Sequence, residues 1–365
     1  MFELELWSVG NMKKIGIVFC GEMNMCPYAA KYIEACEKKT FKYDVILWNR
    51  TGDKSDYPYN YKVYEEKSDL YISKWKKIGA FIRFRHFVKK IIEQQKYDKL
   101  IILTTLPGIL CYRTLTRKYK GRYIFDFRDL SFEKFCIYRK WVKKICDSSF
   151  FACISSPGFE DILGDRNFVI AHNFRYSDIR NKKETATKVT ETVNLLHLGI
   201  TRGEDYNKRL VDLFGNDSRF NIYIVGSGND TPTLIEYAKP FPNIYVVGTY
   251  NNAEKEIYIN NADMMLYYYP CDFNCNRALA NKYYDGIIYK KPLLGNIETY
   301  SGKRLMERKI GISLSLDDVA FADKVYSYIT ELDVDEFNMR AERELAEVLF
   351  EDGHYLRKID EFLDS

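Results

Sequence analysis

The chain has few of the residues on which metal sites and disulfide frameworks depend. It contains only four histidines, and its nine cysteines are an odd number without paired spacing. Cys271 and Cys275 flank three residues, a spacing that suits neither a zinc knuckle nor a redox dithiol. We therefore expect no bound metal, and the unpaired thiols are typical of a protein from the reducing cytoplasm.

Long apolar runs and a strong charge of one sign are also missing. No stretch approaches the length of a membrane-spanning helix, and no secretory signal precedes the first predicted strand. A net charge of +4 is too small to indicate a nucleic-acid-binding protein. Hydrophobic residues make up 46% of the 365 positions, which is ordinary for a globular protein long enough for two domains.

Short apolar runs alternate with helical patterns along most of the chain. Because continuously apolar strands between helices belong to parallel sheets covered on both faces, the pattern predicts an α/β protein. A polar stretch without periodicity over 175–192 interrupts the alternation and predicts a linker. We predict two Rossmann-like, doubly wound parallel-sheet domains that face a cleft, residues 12–174 and 193–333. A long helix over 334–365 is expected to pack back toward the first domain.

The first eleven residues do not fit the pattern that follows them. Met12 and Lys13 read like a natural chain start that runs directly into the first predicted strand. We expect residues 1–11 to be a disordered tail or the result of an upstream start codon.

The segment from Ala280 to Leu294 is the most informative in the chain. Asn281 and Lys282 begin a short predicted helix, and Asp285 follows three residues after the lysine, so the cation and the carboxylate share one face. A lysine at a helix start suits a diphosphate, and a carboxylate one turn later can accept from a ribose diol. An amphipathic helix with a solvated lysine and aspartate remains the alternative from this segment alone.

Glycines, cations and an aromatic residue follow the earlier predicted strands of the second half. Glycine at a strand end permits close approach of the backbone to a ligand, and cations there can neutralise a diphosphate. The glycine pair after the second of these strands lacks the full dinucleotide fingerprint with its acidic partner. In chain order the residues are Gly199, Arg202, Lys208, Gly226, Gly228 and Tyr250.

These motifs, in this order, resemble the donor domain of glycosyltransferases of the GT-B fold, and they are most similar to family 4, in its capsule and surface-polysaccharide type. The resemblance is carried mainly by the helix Asn281-Lys282-Tyr283-Tyr284-Asp285 before the turn at Lys291-Pro292. The first half adds His172-Asn173 and the stretch 125–129, so the similarity spans roughly residues 13–330. It implies a nucleotide-diphosphate-sugar donor in the second domain and a glycan acceptor in the first.

The resemblance also implies roles for individual residues. Lys282, with Arg202 or Lys208, would hold the diphosphate, Asp285 would take the ribose diol, and the backbone near Tyr250 would meet the base. Members of the family commonly need no metal or other cofactor, because lysine and arginine offset the charge of the leaving group. They typically retain the anomeric configuration of the transferred sugar.

One position departs from the family pattern and keeps two other functions open. The pattern has two glutamates separated by seven residues, and counting back from Asp285 places the first at Arg277. A cation cannot accept hydrogen bonds from sugar hydroxyls. The alternatives are a nucleotide-sugar 2-epimerase, which needs further acid-base carboxylates and histidines, and a nucleotide-sugar-binding protein without catalysis.

Asp126 and Asp129 are the candidate catalytic residues of the first half. Both follow an apolar run, at a strand end where a carboxylate can act as a general base toward an acceptor hydroxyl. In the alternative, Asp126 caps the following helix, and Arg128 and Asp129 form a local salt bridge.

Residues 74–92 combine cations with aromatic residues on a predicted helix. Such helices can lie on anionic membrane surfaces. This would suit a lipid-linked acceptor at the inner face of the plasma membrane. The alternative is a surface helix whose apolar stripe packs on the sheet.

Overall fold

The computed structural model describes residues 13–52, 56–68, 74–181, 192–201, 203–273 and 275–365; the side chains of 74–77, 181 and 252 are not described. The predicted N-terminal tail, most of the predicted linker and Arg202 lie outside these residues. The chain divides into two compact units. One unit comprises the chain up to Ala171 together with Glu351–Ser365, and the other comprises His172–Phe350.

The first unit contains a seven-stranded parallel sheet. Its strand order is β3-β2-β1-β4-β5-β6-β7. The strands are β1 Lys14–Phe19, β2 Lys42–Asn49, β3 Tyr61–Glu65, β4 Lys99–Leu103, β5 Tyr123–Phe127, β6 Phe151–Ile154 and β7 Val169–Ile170. The helices of the unit are α1 Ala29–Lys38, α2 Lys74–Gln95, α3 Thr105–Leu110, α4 Cys136–Ser148 and α5 Glu160–Leu163.

The apolar strands of this sheet are buried because helices cover both faces. Strand β4 reads Lys-Leu-Ile-Ile-Leu and is buried at every position. On one face, Ile17 and Leu47 pack in a cluster with Tyr32 of α1 and with Tyr355 near the C-terminus. On the other face, Trp48 of β2 stacks on Phe84 of α2.

The second unit contains a six-stranded parallel sheet. Its strand order is β10-β9-β8-β11-β12-β13. The strands are β8 Val193–Leu198, β9 Phe220–Val225, β10 Ile244–Gly248, β11 Met264–Tyr267, β12 Leu293–Asn296 and β13 Gly311–Leu314. The helices are α6 Tyr176–Asn181, α7 Glu204–Phe214, α8 Thr231–Ala238, α9 Lys255–Asn260, α10 Asn281–Ile288, α11 Tyr300–Arg308 and α12 Phe321–Thr330. Helix α13, Val334–Asp364, begins in this unit, and its last turns belong to the first.

Two apolar cores cover the second sheet, one on each face. Helices α9, α10, α11 and α13 contribute to the core that contains Leu198 and Met265. Helices α7, α8 and α12 contribute to the core that contains Leu195 and Met264. The odd and even positions of each strand therefore face different helices, as expected for a doubly wound sheet.

The predicted fold class is confirmed: both units are α/β with parallel sheets, and a long helix ends the chain. Strands β3 and β13 were not predicted, since β3 is a partly exposed edge strand and β13 has only four residues. The stretch predicted as a linker includes helix α6. Among the described residues, no helix is both long and apolar enough to cross a lipid bilayer.

Candidate functional site

The second sheet reverses its strand order between β8 and β11, and this point defines a candidate site. In doubly wound sheets, ligands bind outside the carboxyl ends of the strands where the order reverses. Gly199 follows the carboxyl end of β8, and the loop after β11 leads into helix α10. The residue before that helix is Ala280, whose side chain cannot cap it, so the first amides of α10 are not capped by a side chain there.

Lys282 lies at this edge, in the first turn of α10. It is only 4% exposed, and its Nζ lies 3.2–3.3 Å from the two ring nitrogens of His197 in β8. The same Nζ lies 5.0 Å from the ring centroid of Tyr269. Burial, and then the charge of Lys282, holds the pKa of His197 well below its ordinary value. The imidazole is therefore neutral, and it does not add a second positive charge to the site.

Asp285 lies one turn further along α10 and forms a buried ion pair. It is 6% exposed, and its Oδ1 lies 2.6 Å from Nζ of Lys255 in α9. Lys255 also donates to Asp178 of α6 at 2.9 Å. Burial raises the pKa of Asp285, and the nearby Lys255 opposes that shift. A ribose diol at Asp285 would therefore share its carboxylate with Lys255.

Tyr250 belongs to the same neighbourhood as Asp285. Its ring packs edge-on against Tyr258 of α9 at 6.2 Å between centroids. Burial raises the pKa of Tyr250, and the charges of Lys255 and Asp285 also act on it. The structure thus brings two of the predicted residues together. Lys255 was not predicted because it belongs to no motif and reaches the site only through the packing of α9 beside α10.

The glycines after β8 and β9 are required by contact between two loops. A Cβ atom on Gly226 would lie 1.9 Å from the carbonyl oxygen of Gly199, and one on Gly228 would lie 2.1 Å from that of Thr201. Gly226 has a φ of 137° and Gly199 a φ of 105°, which favour glycine. The Thr201 and Thr231 hydroxyls are 2.8 Å apart. The close approach here is of backbone to backbone, and contact of these glycines with a ligand remains a prediction.

Lys208 interacts with residues of two neighbouring helices. Its Nζ donates to Glu204 at 2.6 Å, one turn earlier in α7. It also lies 5.2 Å from the ring centroid of Tyr237 in α8. These contacts place Lys208 between α7 and α8, and an interaction of this residue with a diphosphate remains a prediction.

Arg277 lies in a short turn, Cys275–Arg277, before α10. Its guanidinium lies 5.4 Å from the ring centroid of Phe273 and donates to the carbonyl oxygen of that residue. The side chain therefore interacts with its own loop.

In the first unit, Asp126 forms a buried ion pair. It is fully buried at the end of β5, and its oxygens accept from Arg128 at 2.6 and 3.0 Å and from the hydroxyl of Tyr32 at 2.9 Å. Arg128 also donates to the carbonyl oxygen of Ala171 and stacks on Tyr28. This geometry favours a structural role for Asp126 over the predicted catalytic one. It also pairs the Arg128 guanidinium with Asp126.

Asp129 and Glu133 are the other carboxylates that follow β5. Asp129 is exposed. Glu133 is fully buried, accepts from the backbone N–H of Ser131, and its Oε1 has no hydrogen-bond partner among the described residues. Burial raises the pKa of Glu133. Glu133 was not predicted, since nothing in the stretch 130–136 marks its glutamate as buried.

The phenylalanine side chains of helix α2 pack inward. Phe84 stacks on Trp48, and Phe87 packs against Tyr64 at 5.3 Å between centroids. Arg83 pairs with Glu66. The contacts of residues 78–92 thus match the alternative in which the apolar stripe of this helix packs on the sheet, and the side chains of 74–77 lie outside the described residues.

Solved structures share this fold over almost the whole chain. Sucrose-phosphate synthase from Thermosynechococcus elongatus is 12% identical and matches 96% of this chain and 94% of its own, with a TM-score of 0.63. The lipopolysaccharide outer core galactosyltransferase WaaB is 14% identical over 96% of this chain and 99% of its own, with a TM-score of 0.61. HepE from Anabaena, in complex with UDP and glucose, is 11% identical over 93% and 99%, with a TM-score of 0.54.

The same fold is compatible with more than one reaction. A putative UDP-N-acetylglucosamine 2-epimerase from Listeria monocytogenes is 8% identical over 90% of both chains, with a TM-score of 0.54. Neither a family model nor a curated protein matches the chain in sequence. These similarities establish the fold, which is that of GT-B glycosyltransferases.

Proposed function

We propose that this protein is a glycosyltransferase that moves a sugar from a nucleotide-diphosphate-sugar to a glycan acceptor. The observation that carries the proposal is Lys282, a buried lysine in the first turn of α10, beside the strand-order reversal of the second sheet. A helix N-terminus and a lysine ammonium together favour a diphosphate. A galactosyltransferase with the same fold, and a protein of that fold in complex with UDP and glucose, support the proposal.

The proposed donor lies along the carboxyl edge of the second sheet. The diphosphate lies at the start of α10 near Lys282, and the ribose diol lies near Asp285 and Lys255. Tyr250, close to that pair, is suited to the base. Charge that develops on the leaving diphosphate is offset by Lys282 and by the dipole of α10, so transfer needs no metal in this proposal.

In the proposed reaction, an acceptor hydroxyl oxygen bonds to the anomeric carbon of the sugar. The bond from that carbon to the diphosphate oxygen breaks, and the nucleoside diphosphate leaves with the electron pair. The acceptor proton passes to a carboxylate or to the leaving phosphate. Among the predicted residues, exposed Asp129 suits a base better than Asp126, whose oxygens are held by Arg128 and Tyr32. The proposal includes retention of the anomeric configuration, and this part is supported only by the resemblance to glycosyltransferase family 4.

The acceptor in this proposal is a lipid-linked surface-polysaccharide unit, and the protein works in the cytoplasm at the inner face of the plasma membrane. The galactosyltransferase of the lipopolysaccharide outer core has the same fold, which supports an acceptor of this type.

The test compares Lys282→Ala with Lys239→Ala. Calorimetric titration with UDP, GDP and CMP first identifies the nucleotide that the wild type binds. Loss of the Lys282 ammonium is then expected to weaken binding of that nucleotide at least tenfold and to abolish transfer from its sugar derivative. Lys239→Ala, which removes an exposed cation paired with Glu236 of α8, should bind within about twofold of wild type. Unchanged binding in the Lys282 variant would contradict the site assignment.

A second function is favoured by the ion pair at Asp285 and by Arg277. If Lys255 keeps Asp285 from the ribose and Arg277 replaces a sugar-binding carboxylate, the protein binds nucleotide-sugars without turning them over. Thermal stabilisation by nucleotide-sugars without hydrolysis, transfer or epimerisation would indicate the binding protein. Conversion of the sugar at its C2 position would indicate the epimerase.

A further inference from the structure

A segment of the first unit exposes large apolar side chains that a folded protein usually buries. It runs from residue 132 to 144, over the loop after β5 and the first turns of α4. Phe132 is 47% exposed, Phe135 56%, Ile137 65% and Trp141 45%. Single exposed apolar residues need no explanation, but four within ten positions form a patch that does.

The spacing in α4 shows that this exposure belongs to one helix face. Ile137, Lys140, Trp141 and Lys144 are all exposed and lie at positions i, i+3, i+4 and i+7. The opposite face is buried and includes Val142 and Ile145. The helix therefore has an inner stripe that holds it to the sheet, and its outer stripe carries two large apolar side chains beside two lysines.

Basic residues surround the apolar ones on this segment. Between residues 130 and 146 the only acidic residue is Glu133, which is fully buried. Lys134 lies 5.4 Å from the ring centroid of Phe135. We call the exposed set the docking face: Phe132, Lys134, Phe135, Ile137, Lys140, Trp141 and Lys144.

We propose that the docking face binds the surface of a membrane that contains anionic lipids. Aromatic and aliphatic side chains enter the interfacial layer, and the lysines beside them meet the anionic headgroups, which is the pattern of interfacial amphipathic helices. A protein partner would have to match this patch with an acidic apolar surface, whereas a bilayer supplies both chemistries in adjacent layers.

In this proposal the docking face contacts the membrane, whereas the sequence predicted that contact for helix α2. The aromatic side chains Phe84 and Phe87 of α2 pack inward, whereas Phe135 and Trp141 lie outside the core. The segment also follows β5 at the carboxyl edge of its sheet, the edge at which α/β sheets bind ligands. A docked protein would hold that edge close to the headgroup layer, where a lipid-linked acceptor lies. The inference deepens the proposed acceptor class, but binding to vesicles requires neither donor nor catalysis.

Vesicle flotation of the full chain tests the proposal. We expect the wild type to float with phosphatidylglycerol-containing vesicles at low salt and to remain unbound with phosphatidylcholine alone. Each basic charge near the surface changes the partition coefficient by about fivefold, so the triple variant Lys134→Glu, Lys140→Glu and Lys144→Glu should lose at least on the order of a hundredfold. Phe135→Ser with Trp141→Ser should lose binding even at low salt.

A matched control uses exposed residues of α2. Ile78, Ile82 and Lys90 are also exposed, so Ile78→Ser, Ile82→Ser and Lys90→Glu remove similar groups from the competing helix. This variant should float like wild type. Nucleotide binding and thermal midpoints should be unchanged in all variants, which separates loss of docking from misfolding and from failure of the proposed function.

Three results would overturn the proposal. The first is absence of flotation of the wild type with anionic vesicles at low salt. The second is loss of binding in the α2 variant with normal binding in the docking-face variants. The third is a lipid-free dimer that the docking-face variants dissociate, since that would assign the patch to a second copy of the chain. If a variant is unstable, quenching of wild-type fluorescence by brominated lipids, absent in Trp141→Phe, decides the question.

Discussion

His197 shows how one buried residue can set the electrostatics of a site. Its ring lies against the Lys282 ammonium, and burial together with that charge lowers its pKa. Protonating it would place two positive charges in contact. Because the His197 ring is neutral, it can lie against the Lys282 ammonium at the start of α10 without charge repulsion.

We expect His197 to make the protein less stable as the pH falls. A histidine whose folded pKa is lowered stabilises the folded state above its unfolded pKa of 6.5. Below that pH the histidine binds a proton in the unfolded chain but not in the folded chain. The free energy of unfolding therefore falls by up to about 1.4 kcal/mol per pH unit. The loss continues until the pH reaches the lower folded pKa.

Denaturant unfolding of wild type and His197→Gln at several pH values between about 4 and 7 measures this contribution, and the two stability curves should differ in slope by up to about 1.4 kcal/mol per pH unit. His86 is the control, because it is exposed on α2. His86→Gln should follow the wild-type curve. Parallel curves for wild type and His197→Gln would contradict a lowered pKa.

The loops after β8 and β9 show, at the scale of elements, how glycine determines which backbones can meet. Gly226 supplies both a φ that other residues rarely adopt and the space for the Gly199 carbonyl. The two loops are then joined by the Thr201 and Thr231 hydroxyls. The loops at the carboxyl ends of β8 and β9 are thus held together by direct contacts.

Gly226→Ala should strongly disturb the contact between the loops after β8 and β9. The new Cβ would overlap the Gly199 carbonyl oxygen, and we expect a loss of more than about 2 kcal/mol of unfolding free energy. Gly121→Ala is the control, because Gly121 also has a positive φ, 72°, but a Cβ atom there would have no neighbour within 4 Å. It should cost only about 1 kcal/mol, from backbone strain. Equal losses in the two variants would show that the loop contact contributes little.

Helix α13 contributes to both units, which matters at the scale of the whole molecule. Its last turns complete the core of the first unit, where Tyr355, Ile359 and Phe362 are fully buried. Asp352, also buried, pairs with Lys31 of α1 at 2.6 Å. The first unit therefore depends on residues that follow the whole second unit in the chain.

Tyr355→Ala should destabilise the first unit selectively. Removing a buried aromatic side chain costs about 3–5 kcal/mol through lost burial and the cavity that remains. Hydrogen exchange should show reduced protection in β1 and β4, while β8 and β11 keep theirs. Phe350→Ala, at a 74% exposed position of the same helix, should change stability by less than about 0.5 kcal/mol. Equal loss of protection in both sheets would indicate that the units unfold together.

The sequence by itself determined the α/β class, the two parallel sheets and the position of Lys282 at a helix start. These features depend on local periodicity and on residues close together in the chain, so they can be inferred from one sequence. Lys282 and Asp285 were found because a helix turn joins them.

Only the tertiary structure decided which side chains meet across the chain. It paired Asp285 with Lys255 and buried Asp126 against Arg128 and Tyr32. It also turned Phe84 and Phe87 of α2 inward while leaving Phe135 and Trp141 exposed. The physical reason is that burial and ion pairing depend on the packing of separate elements. A carboxylate or an aromatic side chain has the same letter in the sequence whether it lies in the core or faces solvent.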